Sequence, residues 1–80
     1  MLKTLSEGKK VVGIKQLRRA VQQGQVRVAF LALNADPLLT DPIRLLCVDA
    51  GVPVTDVPTM AELGKACGIS VGASAAGLLA

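Results

Sequence analysis

Strands that alternate with helices, three glycines that each close a helical segment, and 51% hydrophobic against 19% charged residues predict an α/β protein. The expected architecture is a three-layer α/β/α sandwich with a small mixed sheet. The 80 residues suit one domain spanning 1–80, because a chain of this size buries only about 60% of its unfolded surface. Its apolar content argues against intrinsic disorder. No internal repeat or low-complexity linker interrupts the pattern.

The elements follow in order. A short strand, Lys10-Val11-Val12, precedes a helix whose Ile14, Leu17, Ala20 and Val21 keep helical spacing. Lys15, Gln16, Arg18, Arg19, Gln22 and Gln23 take its other side, and Gly24 closes it. Val26 to Leu33 is short and nearly all apolar, as in a strand buried on both faces. Asp36 then offers an N-cap and Pro37 suits the first helical position, although Thr40-Asp41-Pro42 could restart the helix one turn later. The stripe of this helix is Ile43, Leu46, Cys47 and Ala50, and Gly51 ends it. Val52 to Val57 alternates as a strand with Pro53 near its start. Thr59-Met60-Ala61-Glu62 reads as a capping box for a helix carrying Leu63, Ala66 and Cys67 and ending at Gly68. The small-residue run Ala73 to Leu79 is taken as the last strand from position and brevity, since Ala is a poor strand former.

Absent residue types exclude much chemistry. There is no His, Trp or Tyr, and Phe30 is the one aromatic residue. Imidazole acid/base catalysis, His-paired nucleophiles and His metal ligands are therefore out, as are the aromatic platforms of many single-strand RNA binders. Cys47 and Cys67 have no CxxC pattern and fall at apolar helical positions, so they read as small core hydrophobes. Neither GxGxxG nor a P-loop occurs, and the carboxylates are scattered. Gly64, Gly68 and Gly72, spaced by four, are explained by backbone permissiveness. No enzyme, metal or cofactor is expected. The opening MLKTLSEGKK lacks the run of about 7 to 15 apolar residues of a signal peptide, and no stretch approaches the roughly 20 of a membrane helix. The expectation is a cytoplasmic chain with no membrane contact.

Charge is lopsided. Residues 1–27 carry seven cations against Glu7 alone, a net of +6, while residues 28–80 carry two against five carboxylates, a net of −3. The basic third is either a face that meets a polyanion or a solvated face that aids solubility. Within it, Lys9-Lys10-Val11-Val12-Gly13-Ile14-Lys15-Gln16-Leu17-Arg18-Arg19 feeds a strand through a Gly turn into a helix. Lys15 lies in the first turn and Arg19 one turn later on the same side. Cations at a helix N-terminus oppose its dipole, a cost that a bound anion would offset. Gln16 adds an amide able to donate and accept at base edges.

Three stretches together resemble the kink-turn RNA-binding ribosomal protein family, of the L7Ae type, in its short bacterial branch. They are Gly13-Ile14-Lys15-Gln16 with Arg19, Asn34-Ala35-Asp36-Pro37, and, most distinctive, Leu63-Gly64-Lys65-Ala66-Cys67-Gly68-Ile69-Ser70-Val71-Gly72-Ala73. The resemblance covers essentially the whole chain. It implies an α/β/α fold and recognition of an RNA stem bent at a short bulge beside tandem G·A pairs. Gly13, Lys15, Gln16 and Arg19 occupy the positions of the Gly-x-Asn-Glu-x-x-Lys helix start with which archaeal and eukaryotic members read those pairs. Lys for Asn and Gln for Glu are departures, and a Lys cannot accept a hydrogen bond from a guanine edge. Ile69-Ser70-Val71-Gly72-Ala73 corresponds to the family's apolar loop against the bulge. Asp36 matches an acidic position near the extruded base, a role compatible with N-capping.

The resulting expectation is a monomeric, non-enzymatic RNA-binding domain, ribosomal or acting on riboswitches and other transcripts. Its site comprises Lys10, Gly13, Ile14, Lys15, Gln16, Arg19, Asp36 and Ile69 to Ala73, including Ser70, Val71 and Gly72. The alternative is a protein–protein scaffold whose basic patch contacts an acidic surface.

Overall fold

In a computed structural model, described for residues 9–80, the alternation becomes seven elements. They are β1 (Lys10–Val12), α1 (Ile14–Gln22), β2 (Val26–Ala32), α2 (Pro37–Asp49), β3 (Val54–Val57), α3 (Met60–Ala66) and β4 (Ala75–Leu79). Lys3 and Glu7 of the basic third lie outside the described residues. The strands form one mixed sheet in the order β1-β4-β2-β3. β4 runs antiparallel to both neighbours, with Val12 opposite Ala76 and Leu31 opposite Ala75, while β2 and β3 are parallel with Ala32 opposite Val57.

The apolar run of β2 is explained by burial on both faces. Val28, Phe30 and Ala32 pack with Leu63 of α3 and with Cys67. Ala29 and Leu31 face the other way, against Leu17 and Val21 of α1 and Ile43 and Cys47 of α2. Helices α1 and α2 thus cover one face and α3 the other. This is the three-layer arrangement expected.

β4 forms from poor strand residues because tertiary packing outweighs propensity there. It lies between β1 and β2, and Gly77 leaves room for α1: a Cβ at 77 would come 2.7 Å from Leu17 Cδ1. The strand starts at Ala75, two residues later than expected, because Ala73 and Ser74 belong to the preceding loop. β2 likewise stops at Ala32, where Leu33 turns outward, and β3 starts at Val54, after Pro53. Helix α2 does not restart at Thr40. Asp36 Oδ1 accepts from Leu38 N–H at 3.0 Å, Pro37 sits in the first turn, and the helix runs on through Pro42.

Candidate nucleic-acid interface

Four connections meet at one end of the sheet, and backbone hydrogen bonds tie them together. Gly13 N–H donates to Ala75 O at 2.8 Å, Ala32 N–H to Ser74 O at 2.9 Å, and Leu33 N–H to Val57 O at 2.8 Å. Met60 N–H, at the start of α3, donates to Asn34 Oδ1 at 2.7 Å and its carbonyl accepts from Ala73 N–H at 3.0 Å. The β1–α1 turn, the Asn34-to-Asp36 loop, the α3 N-terminus and the 67–74 loop therefore form one surface.

Gly13 opens α1 at φ +109°, a conformation that L side chains rarely adopt. A Cβ here would also sit 2.7 Å from Gln16 Oε1, so the Gln16 side chain folds back over the turn in space that only glycine leaves. No side chain caps α1 and no acidic residue occupies its first turn. Its positive end faces out beside Lys15. Lys15, Gln16 and Arg19 are exposed, and Ile14 is half-buried against the α1–α2 core. The one ion pair among the described residues is Arg44 with Asp56 at 2.8 Å, which leaves Lys15, Arg18 and Arg19 free of carboxylate partners there. Beside α1 lies a cleft of about 360 Å³ whose lining includes Val11, Lys15, Gln16, Arg19, Gln23 and Gln25.

The 69–73 loop lies flat on α3. Gly64 allows this, since a methyl at 64 would overlap the Val71 carbonyl oxygen and stand 3.0 Å from its carbon. Gly72 allows it again, 3.2 Å from Met60 Cβ by the same construction. Neither glycine has a positive φ, whereas Gly68 does at +80°. Backbone permissiveness therefore accounts for Gly68 alone of the three; close approach accounts for the other two. At the tip Val71 is 68% exposed and Ile69 38%, with Ser70 and Gly72 also exposed, but Ala73 is buried at 5%. Ala73 anchors the loop in the core rather than presenting a surface.

Lys10 stands apart from the other candidates. It pairs with Leu78 at the opposite end of β1, about 10 Å along the strand from Gly13. Strand alternation gives it the face of Val12, which packs on the α3 side, whereas Val11 packs on the α1 side. Asp36 is exposed and its cap bond to Leu38 N–H leaves it at the rim of the surface. The capping box is made in its first half, Glu62 N–H to Thr59 Oγ1 at 3.1 Å, while Asn34 serves Met60 from 26 residues away. Sequence spacing carries no signal for that bond. Gln23 and Gln25 likewise enter the cleft only once α1 is laid beside β1.

Burial pushes both the Cys47 and the Cys67 thiols up from their ordinary pKa, with the charges of Arg44 and Lys10 respectively opposing part of the rise. Among the described residues no group of three potential metal ligands exists, and no helix is long and apolar enough to cross a membrane.

Comparison with known proteins adds a third line. The family described as ribosomal protein L7Ae/L30e/S12e/Gadd45 matches residues 1–79. An RNA-binding protein of Geobacillus sp. strain WCH70 is 44% identical over 77 residues, 96% of this chain and 94% of that one. RNA-binding protein YbxF of Geobacillus stearothermophilus is 42% identical over the same share of both. Among solved structures, a Giardia lamblia 15.5kD RNA binding protein superposes with a TM-score of 0.92 at 26% identity, covering 99% of this chain and 70% of that one. A Bacillus halodurans protein of unknown function superposes at 0.86, also at 26% identity, over 96% and 81%.

Proposed function

The chain belongs to the ribosomal L7Ae/L30e/S12e/Gadd45 family, and from that membership we propose that it is a non-enzymatic RNA-binding protein that grips a kink-turn, a bulged stem with tandem sheared G·A pairs. The observation that carries the reading is the single surface on which an uncapped, basic helix start and an exposed apolar loop stand side by side. Relatives over nearly the full chain are described as RNA-binding proteins.

Each part has a separate task. Ordinary A-form RNA hides its base edges in a deep, narrow groove, and sheared G·A pairs at a kink expose them. Lys15, Gln16 and Arg19 enter there, with Gly13 leaving the space in which the Gln16 amide folds beside the free amides of α1. Ile69 and Val71 cover the bulge nucleotides, whose stacking partners are lost at the bend. Asp36 faces the extruded base from the rim, and Lys10 contributes only long-range charge. The protein works as a monomer, in the ribosome or on other structured transcripts in the cytoplasm.

The test is a titration of a bulged stem carrying two G·A pairs against a perfect duplex of equal length at physiological salt. The bulged stem should bind far more tightly. Equal affinity would overturn the reading and return the basic face to a protein partner.

A further inference from the structure

The grip on the kink leaves two amides in the α1 cleft without a task. Gln23 and Gln25 line it together with Lys15, Gln16 and Arg19. Both are exposed, yet their backbones are fixed: Gln23 N–H donates to Arg19 O at 3.1 Å, and Gln25 N–H to Ala20 O at 3.0 Å. Gly24, at φ +70°, makes the bend between them, and Gln25 O accepts from Ala80 N–H at 2.8 Å. Their side-chain amides make no hydrogen bond among the described residues. Two ready donor–acceptor groups are thus held at a fixed spacing on the wall of a cleft.

Their position along the helix decides what they can meet. α1 rises about 1.5 Å per residue, so Gln23 lies about 12 Å beyond Lys15. Nucleic acid engaged at Lys15 and Gln16 and following the cleft would pass Gln23 and Gln25 several nucleotides from the G·A pairs. The chemistry changes over that distance. Lys15, Arg18 and Arg19 are cations, and Gln22, Gln23 and Gln25 are neutral. The C-terminal end of a helix carries partial negative charge, so it offers a phosphate no charge attraction of its own. Amides can still donate to phosphate and sugar oxygens and accept from ribose hydroxyls.

Resting on the kink-turn reading, we propose that the cleft between α1 and β1 seats the duplex arm that continues from the G·A pairs, with Gln23 and Gln25 making uncharged hydrogen bonds to its sugar–phosphate strand. The cleft is then a ruler for the arm. Affinity depends on how far the arm extends, and this increment is insensitive to salt because Gln23 and Gln25, which make it, are uncharged, while Lys15 and Arg19 are already engaged at the G·A pairs by either arm length.

Two RNAs share the same bulge and G·A pairs. One closes in a stable hairpin loop directly after them, and the other continues for about six base pairs. The native chain should bind the long-armed RNA about tenfold more tightly, two hydrogen bonds of roughly threefold each, and that ratio should hold as monovalent salt is raised. The double variant Gln23→Ala, Gln25→Ala should bind both RNAs equally, at the native affinity for the short arm. Equal binding of both RNAs by the native chain overturns the proposal without recourse to any variant. Retention of the arm preference by the double variant also overturns it. A native chain that does not distinguish either bulged RNA from a perfect duplex overturns the kink-turn reading and this proposal with it; a preference for bulged RNA without arm dependence overturns the proposal alone.

Discussion

Substituting Gly64 by Ala tests whether the 69–73 loop, proposed to meet RNA, is held by shape. Gly64 has ordinary helical geometry in α3, so Ala should gain about 1 kcal/mol of helix propensity there. Opposing this, the added methyl overlaps the Val71 carbonyl oxygen and crowds Val71 C at 3.0 Å and Gly72 Cα at 3.1 Å. These are backbone atoms of a loop tied down on both sides by Ile69 N–H to Gly64 O at 3.1 Å and Ala73 N–H to Met60 O at 3.0 Å. Relief requires the loop to move as a unit. Overpacking of this kind costs about 1 to 3 kcal/mol, and a backbone obstacle places it at the upper end. The net loss is then about 2 kcal/mol, or about 8 to 16 °C in Tm for a domain of this size. Calorimetry or circular dichroism melts read it directly. The displaced tip should also forfeit about half of the burial that Val71 gains on RNA, about 1 kcal/mol or roughly fivefold in affinity. Gly68→Ala is the contrast: its φ of +80° costs about 1 to 2 kcal/mol, but open space around it leaves the loop in place and the affinity of the folded protein unchanged. A Gly64→Ala variant as stable as the native chain would refute the reasoning, because propensity would then have outweighed the contact.

Four further outcomes are expected. Lys15→Ala or Arg19→Ala should each weaken RNA binding by about 1 to 3 kcal/mol with little change in melting temperature, both side chains being exposed; unchanged affinity in both would move the interface elsewhere. Val71→Asp, at a position 68% exposed, should abolish binding while preserving the circular dichroism spectrum, and a variant that unfolds would make Val71 a core residue. With +6 in residues 1–27, the chain should bend kink-turn RNA in EDTA, read as energy transfer between dyes on the arm ends, and arms that stay extended until magnesium is added would count against protein-supplied charge. Because burial raises both thiol pKa values, the folded state keeps its thiols protonated where the unfolded chain has begun to lose them. Their contribution to stability is therefore full below the ordinary thiol pKa of about 8.5 and is lost as pH rises through the raised values. Melts from pH 8 to 10.5 should show that fall, with a smaller slope in Cys47→Ala.

The fold was legible in the sequence wherever one local pattern determined one structural role. The apolar run of β2 has no period because both its faces are covered, and Asp36-Pro37 marks the start of α2 because a cap and a first-turn proline are local chemistry. Strand ends were less legible, since they depend on where neighbours stop: Ala73 looks like strand but its N–H is taken by Met60 O of α3, so the ladder with β2 ends at the bond from Ala32 N–H to Ser74 O. At the candidate surface, Gly13 with Lys15, Gln16 and Arg19 could be read from spacing within one turn. The long-range contacts could not. Nothing local marks Asn34 as the partner of Met60, and Gly64 and Gly72 look like permissive glycines when what they supply is room. Lys10 illustrates a further limit: a charge count adds it to the basic third, while strand parity sends it to the other side of the sheet.

If the proposed surface is the one that meets RNA, folding and recognition share atoms at this end of the sheet, which determines when the cost of order is met. Ile69 and Ala73 are each tied to α3 by a backbone hydrogen bond, so the exposed tip between them is fixed by the same contacts that complete the core around Ala73, Met60 and Leu63. The entropy of ordering the loop is thus met largely during folding, and less is subtracted from the binding free energy when RNA arrives. The basic helix behaves in the opposite way. Lys15 beside an uncapped helix start opposes the dipole by about 0.3 to 1 kcal/mol in the free protein, and a phosphate at that position reverses the sign. The loop therefore contributes preorganised shape, and α1 contributes a local instability that an anion relieves. RNA binding should accordingly raise the melting temperature with concentration, and more of that rise should vanish in high salt for the native chain than for Lys15→Ala.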